Sequence, residues 1–311
     1  MSMQSYQDKL EPPTVTRPHP SVRIQYTTMG QNQGKALRLG GNVETNTTLR
    51  QLQQWASISP GAVSIWDYGC NFVYPFLLLP DWFKLGDDVA LYHELNASGV
   101  LMEACDQWQS PDLHEMRVWM LSQLYMDANA NATELMLDFL HGYYGPQATP
   151  HLLRHMHLYT DAVARTNHHA TLGDNVHAPF FAPSVVLPSL VELNTAIAAS
   201  ATPGSKIVTR LQKLRLSPWY VMLYRWDEAC VVAKALGIKW PLKHRQLGES
   251  YHAFLAAATA MLGAPNTYGS PLSPNVMAGL DGLTKNFTHV CKTDDVVAMA
   301  PDLKVYGNRG R

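Results

Sequence analysis

The chain has 311 residues, a formal net charge of −1, 46% hydrophobic residues and 16% charged ones. That length suits one large domain or two smaller ones, and that composition buries a core rather than staying disordered. Near-neutral charge without a basic run makes nucleic acid and anionic membrane surfaces poor partners, and no apolar stretch approaches the roughly 20 residues of a membrane span.

From the N-terminus, "MSMQSYQDKLEPP" lacks the basic-then-apolar pattern of a signal peptide. "SVRIQYTTMG" (21–30) alternates apolar and polar residues as a strand does. A helix-like stretch, "TTLRQLQQWASIS", precedes a second apolar strand, "GAVSIWDYG" (61–69). "LPDWFKLGDDVALYHELN" has helical spacing in its second half and leads to a third strand, "SGVLMEACD" (98–106). Strands alternating with helices indicate parallel βα units.

After residue 110 the pattern becomes helical. "SPDLHEMRVWMLSQLYMD" opens on a Ser-Pro-Asp helix start and places Leu113, Met116, Met120, Leu121 and Leu124 on one face. This Met and aromatic stripe reads as core. "NATELMLDFLHGYYG" starts another helix, and Pro146 or Pro150 marks the first turn of the next. Further helices fit 183–200, 205–215, 218–236 and 244–262, followed by a Gly-, Pro- and Asn-rich tail from about 264 that reads as loop. The expected organisation is a βα part over 1–109 and a helical domain over 110–311.

Four cysteines, Cys70, Cys105, Cys230 and Cys291, are widely spaced without a C-x-x-C pair, which argues against a zinc knuckle. Cys70 and Cys105 follow neighbouring strand ends, so a disulfide between them is geometrically possible, as are two buried thiols. Sequons at Asn46, Asn96, Asn131 and Asn286 compare with roughly two expected from composition, a hint of a secreted relative. His151 and His155 are spaced as in a zinc-binding H-E-x-x-H helix, but "HLLRH" lacks the glutamate, and no metal site or cofactor is expected. Neither G-x-S-x-G nor a phosphate loop occurs.

"IWDYGCNF", "GVLMEA" and the segment running from "DLHEMRVWM" through "FLHGYYGPQ" to "MHLY" resemble the end of the DUF4838 family. Proteins of that family resemble α-glucuronidase-like glycoside hydrolases, in which a TIM-type barrel precedes a helical domain. The resemblance covers roughly residues 1–165. It implies that residues 1–109 are the last strands of a (β/α)8 barrel and that the chain is the C-terminal part of a longer, extracellular protein. Met102 and Glu103 stand where the family tends to carry Glu then Gln, and Ala104 replaces a Gly.

Active sites of such barrels sit at the C-terminal strand ends. The resemblance therefore makes Asp67 and Glu103 the candidate catalytic or water-activating carboxylates, with a general acid from an upstream strand. Trp66, Tyr68 and Asp106 become candidate sugar contacts, because pyranose rings stack on aromatic faces. The plainer readings stand beside these: Asp67 caps a loop, Trp66 packs outward in the helix layer, and Asp106 starts a helix. Tyr143 and Tyr144 would lock the helical domain to the barrel end. The implied partner is a carbohydrate. A glycan-binding protein without catalysis, a helical scaffold, and a barrel completed by a partner chain are the alternatives.

Overall fold

The computed structural model describes residues 1–104, 110–200, 205–264, 272, 274–283 and 288–291. Four parallel strands form a sheet in chain order: β1 (Ser2–Ser5), β2 (Arg23–Thr27), β3 (Val63–Tyr68) and β4 (Val100–Glu103). Helix α1 (Val43–Ile58) connects β2 to β3, and α2 (Leu85–Glu94) connects β3 to β4. Strand β1 is absent from the sequence reading because it has no alternating pattern. Its four residues include one buried side chain, Ser5, and pairing with β2 defines it.

The sequential strand order places both helices on one face, as right-handed crossovers require. There Ile24, Tyr26, Val63 and Ile65 pack against Leu52 and Trp55 of α1 and Leu91 and Tyr92 of α2. Among the described elements, no helix covers the opposite face. Ser64, Trp66 and Tyr68 alternate onto it, and in-register pairing aligns Leu101 with Trp66 and Glu103 with Tyr68.

The helical part comprises α3 (His114–Met126), α4 (Ala132–Tyr144), α5 (Thr149–Thr166), α6 (Pro183–Ala199), α7 (Lys206–Tyr224), α8 (Trp226–Ala235), α9 (Leu247–Leu262) and α10 (Pro274–Asp281). The expected α3 face is buried throughout, from Leu113 to Leu124. Asn131 caps α4 by accepting from the Thr133 and Glu134 amides. Leu85 and Val89 of α2 join this helical core while Leu91 and Tyr92 join the sheet core, so α2 welds the two.

Three helix boundaries differ from the sequence reading. The break expected before Pro218 falls instead at Arg225, between α7 and α8. Pro218 removes one N–H, but the buried residues on both sides of it, Leu214, Leu216, Trp219 and Val221, hold the helix together. Asp112 does not cap α3. Its carboxylate accepts from the Leu79 amide and from Arg117. The tail from 264 is not loop throughout, because α10 buries Val276 and Leu280, and Tyr251 donates to Asp281 at 2.7 Å. Tyr143 lies under the Arg210 guanidinium, 3.6 Å from the ring centroid, so this tyrosine fastens α4 to α7 rather than to the sheet.

Arg117 on α3 is fully buried beneath the end of β3. Its Nε and Nη2 donate to Asp81 at 2.7–3.0 Å, and Nη2 also donates to Asp112 at 3.0 Å. Gly69 makes room for it: a Cβ there would lie 2.8 Å from Arg117 Cδ and 3.1 Å from Met102 Sδ.

Cys230 and Cys291 form a disulfide across 61 residues of sequence. It ties α8 to the segment where Val290 bridges Gln246 at the start of α9. Cys70 is also disulfide-bonded. Cys105, the suggested partner, lies outside the described residues, as does Asn286. A Cys291→Ser variant is expected to lose about 2–4 kcal/mol of stability, the usual yield of constraining an unfolded loop of this size. Urea unfolding of the variant beside the oxidised wild type measures this, and a difference under about 0.5 kcal/mol would refute it.

Candidate functional site

A cleft of about 590 Å³ opens on the uncovered face of the sheet, at the C-terminal ends of β1, β2 and β3. Trp66, Tyr68 and Glu103 form its floor. Tyr6 and Phe72 wall it, together with Leu172 from the loop after α5. The Trp66 and Tyr68 rings lie side by side, with centroids 6.4 Å apart and planes within 22°, as residues two apart on one strand face must. Phe72 meets Tyr68 edge-on at 5.7 Å. The result is an aromatic cluster in the cleft lining, Trp66 and Tyr68 near-parallel and Phe72 edge-on to Tyr68, with Tyr68 itself buried against Leu79 and Leu172.

Glu103 is held in place at that cluster. Trp66 Nε1 donates to its Oε2 at 2.9 Å. Among the described residues Oε1 has no hydrogen-bond partner, and Glu103 lines the cleft. Burial, reinforced by the Glu103 charge, holds the Tyr68 hydroxyl above its ordinary pKa, so Tyr68 stays neutral.

Asp67 points the other way. Its neighbour in register is Met102, and its carboxylate enters the layer between sheet and helices. There Oδ1 accepts from Thr28 Oγ1 at 2.6 Å, Gln31 Nε2 at 2.7 Å and the Tyr68 amide at 2.9 Å, and Oδ2 accepts from Tyr92 at 2.8 Å. Nearby, buried Lys84 pairs with Asp88 at 2.8 Å. Burial works to lower the Lys84 pKa, but the carboxylates of Asp88, Asp67 and Asp81 outweigh it and hold the ammonium form. Trp66 thus does not pack in the helix layer, and the acid does. Asp67 and Glu103 leave the sheet on opposite faces and do not flank a common space. Asp106, the remaining candidate contact, lies outside the described residues.

The loop over 167–178 is the part of the site that the sequence hid. It is strapped across the strand ends by backbone and amide bonds: Phe72 N to Leu172 O at 2.8 Å, Gln33 N to Ala170 O at 2.8 Å, and Asn71 Nδ2 to Asp174 O at 2.7 Å. Asn32 anchors it again through the His168 carbonyl at 2.9 Å. These contacts span some 100 residues or more of sequence and carry no local signal. Gln4 and Tyr6 are likewise invisible without β1.

The histidines of α5 diverge. His151 bonds Glu192 at 2.7 Å, whereas His155 is buried against Ser189 at 2.8 Å, and burial lowers its pKa to about 4.

A model of the family described as a domain of unknown function, DUF4838, matches residues 1–157. The chain belongs to the DUF4838 family. The match spans the sheet, the aromatic floor and Glu103, and continues through α3 and α4 into α5, so the DUF4838 region carries most of the cleft. The strap that closes it lies beyond. No curated protein and no solved structure matches the chain.

Proposed function

We propose that the chain is the C-terminal part of a glycoside hydrolase-like, carbohydrate-binding protein, and that it binds a glycan in the cleft without hydrolysing it. The carrying observation is the Trp66–Tyr68 pair with Glu103 fixed beside it. Sugar rings lay their apolar faces on aromatic side chains, and a carboxylate with a free oxygen accepts from their hydroxyls. Four parallel strands in sequential order, with helices on one side only, support the reading of the sheet as the last strands of a (β/α)8 barrel. A ligand site at the C-terminal strand ends fits that architecture.

Hydrolysis of a glycosidic bond needs two carboxyl groups flanking it, about 5–9.5 Å apart. Among the described residues lining the cleft, Glu103 is the one carboxylate, because Asp67 serves the opposite face. On this reading the cleft of this chain binds, and turnover would need a second carboxyl group supplied from outside the described lining. Asp67 then acts as a positioning residue, fixing the strand end from which Trp66 and Tyr68 project.

Tryptophan fluorescence titration with a panel of oligosaccharides tests this. Saturable quenching is expected for at least one sugar class, with no release of reducing ends. Trp66→Ala is expected to weaken binding by about two- to tenfold, since an aromatic contact contributes roughly 0.5–1.5 kcal/mol beyond its area burial, while circular dichroism stays unchanged. A folded wild type that answers to no sugar would defeat the proposal. A second reading rests on Leu101, 48% exposed on the same face of the edge strand β4. A partner chain supplying further strands would cover it, and would appear as a stoichiometric companion on native purification.

A further inference from the structure

Resting on that carbohydrate reading, we infer that the cleft selects a sugar carrying a protonated amine and discriminates against uronates. Three features of the lining point the same way. Glu103 brings a carboxylate to the cleft lining, with Oε2 engaged by Trp66 and Oε1 without a partner among the described residues. Trp66 and Tyr68 bring two ring π-systems to the cleft lining, and a ring quadrupole attracts a cation lying within about 6 Å of its centroid. The indole N–H also donates to the anion Glu103, which leaves the Trp66 face richer in electron density. Finally, the remaining polar groups lining the cleft are neutral side chains, Gln4, Tyr6 and Thr27, so the charge that a ligand meets is negative.

An ammonium group on a hexosamine can occupy this corner while its ring covers Trp66. It then gains a charge-assisted bond to Glu103 Oε1 and a cation–π contact in one placement. A uronate placed the same way sets carboxylate against carboxylate. A neutral or N-acetylated sugar stacks but gains no charge term. The cleft volume of about 590 Å³ lies inside the roughly 300–1,000 Å³ range of small-molecule sites and admits a short oligomer rather than one hydroxyl group.

The experiment is isothermal titration of the full chain at about pH 6, below the roughly 7.7–8.0 of an α-amino group. The three probes are a glucosamine tetramer, its N-acetylated counterpart and a galacturonate tetramer. The glucosamine oligomer is expected to bind about tenfold tighter than the N-acetylated one, and the galacturonate weakest. Raising the salt should narrow the gap, since a partly exposed pair is screened. Glu103→Gln, which keeps the acceptor for Trp66 Nε1, is expected to bring the three affinities within about threefold of one another. Equal binding of amino and N-acetyl probes, or tightest binding of the galacturonate, would overturn this inference and leave the carbohydrate reading standing. Binding of none of the three would overturn this inference, and a folded protein that binds no glycan at all would overturn both. An amino preference that survives unchanged in Glu103→Gln would overturn the assignment to Glu103.

Discussion

Arg117→Met should lower the stability of the fold by about 3–5 kcal/mol, the usual cost of removing one partner from a buried ion pair. The guanidinium is wholly enclosed and gives four of its contacts to Asp81 and Asp112 at 3.0 Å or less. Methionine fills most of the volume but offers no donor. Asp81 is then left as an uncompensated charge in a site from which water is excluded. The expected fall in melting temperature is about 10 °C, read by scanning calorimetry. The loss should be concentrated where α3 meets the end of β3, so the strap from 167–178 should become more susceptible to proteolysis before the rest of the helical part. A change below about 1 kcal/mol would mean that the triad is not the clamp described.

The same triad makes stability depend on pH. Burial pushes the Asp112 carboxyl up to about 7, against the opposing pull of Arg117, and its Oδ1 has no hydrogen-bond partner. In the unfolded chain an aspartate titrates near 3.9. Between about pH 4 and pH 7 the folded protein therefore holds a proton that the unfolded chain has released. Stability from this group is fully present below about pH 4 and is lost as pH rises through 7. Asp112→Asn removes that titration. The difference in urea midpoint between variant and wild type is therefore expected to move in the variant's favour from pH 5 to pH 8. A difference independent of pH would show that Asp112 is ionised throughout.

What the sequence disclosed, and what it did not, follows from where each signal resides. The face of α3 from Leu113 to Leu124 was legible because a buried helix face repeats every three to four residues and needs nothing outside the helix. The strand "VSIWDY" was legible for a similar local reason, and with it the fact that residues 66, 67 and 68 alternate between faces. Which face was which did not follow, because alternation fixes relative directions only. The helix layer could equally have received Trp66, and an acid near a strand end reads as a site residue until its partners are known. Those partners, Thr28, Gln31 and Tyr92, come from two other segments. The cleft wall at Leu172 was illegible because it is placed by backbone bonds from a distant loop. Pro218 misled for the opposite reason: a strong local signal was overruled by burial on both sides of it.

Asp67→Ala and Glu103→Gln should therefore give crossed results. Alanine at 67 strands four donors in a layer closed to water, and an unpaired buried polar group costs roughly 1–3 kcal/mol. The costs are not additive, since Gln31 and Thr28 can bond each other at 3.2 Å, so a net loss of about 3–5 kcal/mol is expected. Lys84 also loses one of the carboxylates that keep it charged. Yet the folded fraction of Asp67→Ala should bind glycan within about twofold of wild type, because the missing carboxylate never faced the cleft. Glu103→Gln should do the reverse, leaving stability within about 0.5 kcal/mol, as a partly exposed substitution that keeps its acceptor does, while altering ligand preference. Chemical denaturation and titration on the same two proteins separate these effects. If instead Asp67→Ala folds as well as wild type and loses binding, then the carboxylate reaches the ligand in solution, and the two acids of neighbouring strand ends would have to be read again as a pair.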